Sequence, residues 1–165
     1  MSRRIVRWFL TLSVAMVALF ATFGSAAAAA PTPPTNAQLE QAYKAEQQSL
    51  HVMESRFEQV RKHADGVAAL IAKLKNQGIN TAPLERALAA FRTRIAVAKG
   101  QRQVARDVLA THAGFDAEGH VTNARQAGAT VAKAHINLVQ ARMIVDGAIG
   151  QLRAAVAAFL RAHRR

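Results

Sequence analysis

The sequence contains no cysteine. That excludes a disulfide framework, a thiolate metal site, a cysteine nucleophile and a lipidated N-terminal cysteine. Aromatic residues make up only 5% of the chain, too few for a ladder of base-stacking side chains. Acidic residues are scarce, with 10 Asp and Glu against 22 Lys and Arg and a net charge of +12. Proline occurs only at positions 31, 33, 34 and 83, so almost nothing interrupts a helix beyond residue 35. What is abundant is apolar: 51% of the 165 residues. That fraction excludes a wholly disordered chain, and the length suits one domain.

Residues 1–30 read as an address. Arg3, Arg4 and Arg7 precede an uncharged stretch, WFLTLSVAMVALFATF, which is followed by Gly24, Ser25 and a run of alanines. A basic start, a short apolar core and an A-x-A site define a secretory signal peptide, with cleavage expected after Ala28 or Ala30. The alternative is an uncleaved membrane anchor, because the alanine run brings the apolar stretch close to the roughly 20 residues that span a bilayer. Losing residues 1–30 removes three arginines and no acid, which leaves a net charge of +9. Residues 31–35, PTPPT, form a stiff spacer.

Residues 36–165 carry only helix signals, and the spacing predicts helices over 36–77, 81–113 and 121–163. Thr35 or Asn36 caps the first. Its apolar seam runs Leu39, Tyr43, Glu46, Leu50, Met53, Phe57, Val60, Ala64, Val67, Ile71, Leu74, in alternating steps of four and three. Gly78 ends it, and Asn80 and Thr81 cap the second, with Pro83 in its first turn. The second seam is Leu84, Leu88, Phe91, Ile95, Ala98, Arg102, Ala105, Leu109, His112. After a Gly-bounded loop whose Phe115 plugs the end, Thr122 or Asn123 caps the third helix. Its seam is read as Val121, Ala124, Gly128, Val131, His135, Leu138, Arg142, Val145, Ile149, Leu152, Val156, Phe159, His163. A neighbouring stripe of Ile136, Val139 and Met143 widens its apolar face toward both partners. The expected fold is all-α: an elongated, antiparallel, up-down-up three-helix bundle with coiled-coil-like heptad packing.

Height-matching across the turns suggests where polar residues meet. A first turn centred near residue 79 sets Glu46 opposite His112 as a register pair, and Arg102 near Arg56, Phe57 and Glu54. A second turn centred near 116–117 sets Gln77 level with Leu152. Residues beyond Leu152 then overhang the first two helices, and the first turns of the first helix overhang the second loop. The overhang carries Val156, Phe159 and Leu160 with Arg153, Arg161, Arg164 and Arg165, a basic amphipathic segment and a candidate interaction surface. From Gly119 onward seven residues are basic and only Asp146 is acidic. Such a flank attracts anionic membranes or cell-wall polymers. Nucleic acid is set aside as a partner, since no aromatics interleave the basic residues and an exported protein rarely meets it.

The chemistry-bearing residues form no catalytic pattern. Ser49 and Ser55 lie within a helix and outside any nucleophile elbow. His51, Glu54 and Glu58 share a helix face, but no matching Glu and His set faces them, so no metal site or cofactor is expected. Asp116, Glu118 and His120 alternate as in half a calcium loop, yet the Gly falls two positions early and Ala127 stands where the bidentate Glu belongs. The sequence therefore points to an exported, non-enzymatic bundle of the bacterial cell envelope or exterior. Export and alanine/arginine-rich usage carry the bacterial attribution. It would act through contacts with an unknown protein partner or with itself. The alternatives are a periplasmic helical chaperone or stress-sensor adaptor, or a binder of anionic surfaces. In size, export and charge the chain resembles the small basic envelope-stress chaperones, but it lacks their L-T-x-x-Q motifs.

Overall fold

A computed structural model of the chain describes residues 33–163. The expected signal segment, part of the spacer, Arg164 and Arg165 lie outside the described residues. The described residues form three helices, α1 (Asn36–Asn76), α2 (Ala82–Ala110) and α3 (Ala124–Ala162), packed as a bundle. Their ends follow local chemistry. Thr35 caps α1 in a reciprocal box: its hydroxyl accepts from the Gln38 N–H, and its own N–H donates to Gln38 Oε1 at 2.8 Å. At the far end Gly78 has φ +73, its N–H donates to the Lys75 carbonyl, and the Ile79 N–H donates to that of Leu74. This is a Schellman closure, with Leu74 and Ile79 supplying the usual apolar contact against the core. Asn123 Oδ1 accepts from the Gln126 N–H and caps α3 as expected, whereas Thr81 at the start of α2 makes no side-chain cap bond and Asn80 Oδ1, one residue before it, accepts from the Ala82 N–H.

The α1 and α2 seams lie where the spacing puts them. On α1, Leu39, Tyr43, Met53, Phe57, Val60, Ala64 and Ile71 are buried; on α2, so are Leu84, Leu88, Phe91, Ile95, Ala98, Ala105 and Leu109. The α3 seam differs. Leu138, Val145, Leu152 and Phe159 are buried as expected, but the second column is Ala127, Ala134, Ala141 and Ala148, all at 0–1% exposure. His135 and Arg142 are exposed, and Ile149 and Val156 are only half-buried. Ile136, Val139 and Met143 are exposed by 54%, 40% and 68%, so this stripe does not face the other helices. The reason is steric. Ala98 and Ala105 of α2 are likewise at 0% exposure, and α2 packs on α3 far more intimately than either packs on α1. Methyl side chains let two helix backbones approach closely, so alanines, not larger residues, fill that seam.

The packed interior falls into two parts. The longer includes Met53, Phe57, Phe91, Val145, Leu152 and Phe159. The shorter, at the second-loop end, includes Leu39, Tyr43, Leu109, Phe115 and Ala127. Ion pairs tie the helices together along their flanks: Arg106 and Arg102 on Glu54, Arg56 on Asp146, and His135 on Glu46.

Those pairs also set the heights, and they correct the expected overhang. Glu46 meets His135 and Arg56 meets Asp146, at sequence separations of 89 and 90. By that offset Leu152 stands level with His63, not Gln77, and α3 ends within the last turns of α1. Neither the end of α3 nor the start of α1 projects beyond its neighbours. The second connection is the cause. It turns back along α3, with the Ala113 carbonyl accepting from Thr130 Oγ1 at 2.8 Å, so α3 begins lower than a symmetric turn would place it.

Candidate interaction surface

At the second-loop end, backbone constraint gathers several polar side chains around Tyr43. The connection bends at Gly114 and Gly119, both at φ +88, and at His112, a non-glycine at φ +49. Gly114 has no alternative, since a Cβ there would drive into the Ala127 backbone. Phe115 is buried and stacks on Tyr43 with ring centroids 4.2 Å apart, which closes the bundle end as its sequence position suggests. Tyr43 Oη donates to the Leu109 carbonyl at 2.9 Å. His112 Nδ1 lies 3.2 Å from the same phenol oxygen. Burial pushes the phenol above its ordinary pKa, so it remains a donor.

The expected Glu46–His112 register pair does not form. Glu46 takes His135 of α3 at 2.8 Å, and His112 turns to Tyr43. The heights along α1 and α2 are close to those expected, but Glu46 faces α3. Glu40 accepts from the Val121 N–H at 3.0 Å and lies 3.6 Å from His120. The Val121 bond, assisted by His120, holds its carboxyl below the usual carboxylate range. Asp116 Oδ1 accepts from the Glu118 and His120 N–H groups, which holds the turn. Among the described residues no three His, Asp or Glu side chains converge as a metal-binding group.

Arg102 occupies its seam position as the sequence suggests. Its guanidinium lies 5.6 Å from the Phe57 ring centre and 3.7 Å from Glu54. Arg56, placed beside it by height, turns instead to Asp146 of α3.

Of the residues expected to project near the C-terminus, several line a groove instead. Phe159 is buried in the longer core and stacks on His163, so it is an anchor and not a contact residue. Arg161 is exposed. Val156, Leu160 and Arg153 line a groove of about 280 Å³ between α1 and α3. Its other walls are His63 and Val67 of α1 with Ile149 and Ala157 of α3, and Phe91 and Leu152 form the floor. A second groove of about 270 Å³ runs between α1 and α2 past Val60, Arg61, Phe91, Ile95 and Lys99. Both exist for one reason. α1 contributes Met53, Phe57 and Val60 where α2 and α3 contribute alanines, so it rides higher and leaves a channel on each side. The sequence shows the residues of the first groove, but not that α1 supplies its opposite wall.

No protein-family model matches the chain, and neither a curated protein nor a solved structure resembles it significantly.

Proposed function

We propose that this is an exported, non-enzymatic bundle of the cell envelope or exterior, and that it works by gripping a protein partner in the α1–α3 groove. The observation that carries this reading is the groove itself. Val67, Ile149, Val156 and Leu160 offer apolar surface at its rim, with Arg153 and His63 beside them. A channel between two helices suits an apolar stripe on a third helix or an extended segment. The partner that fits presents such a stripe with acidic residues alongside, since Arg153 and Arg161 make no ion pair among the described residues.

The test is cross-linking in the native host from a photo-reactive residue at position 160, with Val156→Asp as the control. One defined partner, lost in the Val156→Asp chain, supports the reading. Capture of many unfolded proteins, with suppression of their aggregation, would replace it by a general chaperone. A second reading draws on charge. Arg86, Arg92, Arg94 and Lys99 of α2 make no ion pair among the described residues, which favours an anionic polymer or membrane as an additional contact. Retention on such a surface would fall steeply with salt.

A further inference from the structure

The side of α3 that faces away from both other helices has the character of an interface. A line through Ile136, Val139, Met143, Gly147, Gly150 and Ala154 advances in helical steps of three and four and contains no charged residue. Its larger members are widely exposed, Met143 by 68% and Ile136 by 54%. Gly147 and Gly150 have nothing within 4 Å of where a Cβ would stand, so no contact inside the bundle explains them. The most apolar 18-residue window of α3 has a mean hydropathy of 1.5, yet only 22% of it is buried. Val97 and Val104 of α2 are also exposed, by 52% and 41%.

We propose that this face binds a second copy of the same chain, with the two α3 helices crossing antiparallel about a two-fold axis at Met143. The pattern along the face is what selects this occupant. Its first half is bulky, Ile136, Val139 and Met143, and its second half is small, Gly147, Gly150 and Ala154. A two-fold at Met143 sets Ile136 of each copy on Gly150 of the other, and Val139 on Gly147, so each bulky residue meets a bare stretch of backbone. A parallel pairing would set bulky on bulky and glycine on glycine. A bilayer would gain nothing from the two glycines, since membrane-lying helices present Trp, Phe and Leu. This face is centred about a quarter turn around α3 from the α1–α3 groove and includes none of Ile149, Arg153, Val156 and Leu160, so the inference stands apart from the proposed function.

The test uses the absence of native cysteine in the full chain. Under oxidising conditions Met143→Cys should form a disulfide-linked dimer. Ile136→Cys alone should not, but Ile136→Cys mixed with Gly150→Cys should. Sedimentation of the unmodified chain should show a concentration-dependent dimer. Gly147→Arg should return it to monomer with its helical circular dichroism intact, because the site is open and Arg is a better helix former than Gly. A mass unaffected by Gly147→Arg would overturn the proposal. So would an Ile136→Cys homodimer without the mixed pair, or a monomer that instead co-sediments with anionic lipid vesicles through this face.

Discussion

Tyr43 and Gly114 show how single residues hold the second-loop end. Tyr43 is 1% exposed, stacked on Phe115, with its hydroxyl on the Leu109 carbonyl. Gly114 lets the chain pass close to the start of α3 while its carbonyl accepts from the Thr122 and Asn123 N–H groups. Gly114→Ala forces both a strained φ and a collision with backbone, and should cost about 3 kcal/mol, read by urea unfolding. A loss below about 1 kcal/mol would mean that the loop has room to shift. Glu40 ties the same loop to α1, and here pH is the probe. Its folded-state pKa lies below the ordinary 4.5 because the Val121 N–H and His120 favour the anion. Its contribution is therefore complete above about pH 4.5 and lost as pH falls through the lower folded value. Glu85, held down by Lys75 and Thr81, behaves alike at the other end. Glu40→Gln should flatten the loss of stability between neutral pH and pH 3, and an unchanged acid slope would remove Glu40 from this role. The Glu40–Val121 tie joins positions 81 apart in sequence, a distance that local spacing cannot reveal.

The helices carry glycines that their own interiors do not require. Gly66 in α1 and Gly100 in α2 have open space around the Cβ position. Gly66→Ala and Gly100→Ala should each stabilise the bundle by about 1 kcal/mol, since Gly loses more backbone entropy than Ala on entering a helix. Thermal unfolding followed by circular dichroism would show the rise, and a fall would point to a contact at that site. At this scale α1 and α2 were almost wholly legible, because their seams pair large apolar residues with clearly polar backs. α3 was not. It carries apolar or small residues on nearly every face, so Val131, Ile149 and Val156 competed with the true column of Ala127, Ala134, Ala141 and Ala148. A periodicity count ranks valine and isoleucine above alanine, whereas close packing against the alanines of α2 reverses that order.

Across the bundle, ion pairs along the flanks link α1 to both other helices. Arg102 is the uneasy member. Its side chain is 19% exposed, and its Nε has no partner. Glu54 keeps Arg106 if Arg102 is removed. Arg102→Leu should therefore fill the seam between Ala98 and Ala105 with apolar surface and raise stability by about 1 kcal/mol, as replacement of imperfectly paired ions by packed apolar groups often does. A destabilised Arg102→Leu chain would show that the stack on Phe57 outweighs the missing partner.

Hydrophobic spacing, caps and breakers determined by themselves that residues 36–163 make three helices, where the first two begin, and which faces of α1 and α2 turn inward; α3 begins at Ala124, three residues later than the spacing placed it. These are local properties, written within a few turns of chain. Tertiary structure alone decided which residues of different helices stand at one height. That depends on how the 111–123 connection folds back on α3, a matter of backbone hydrogen bonds and of steric room at Gly114. It moved the C-terminal basic segment from a projecting end to the wall of a groove, gave Glu46 to His135, and turned the stripe at Met143 outward. Register is a sum over long-range contacts, and no window of sequence contains them.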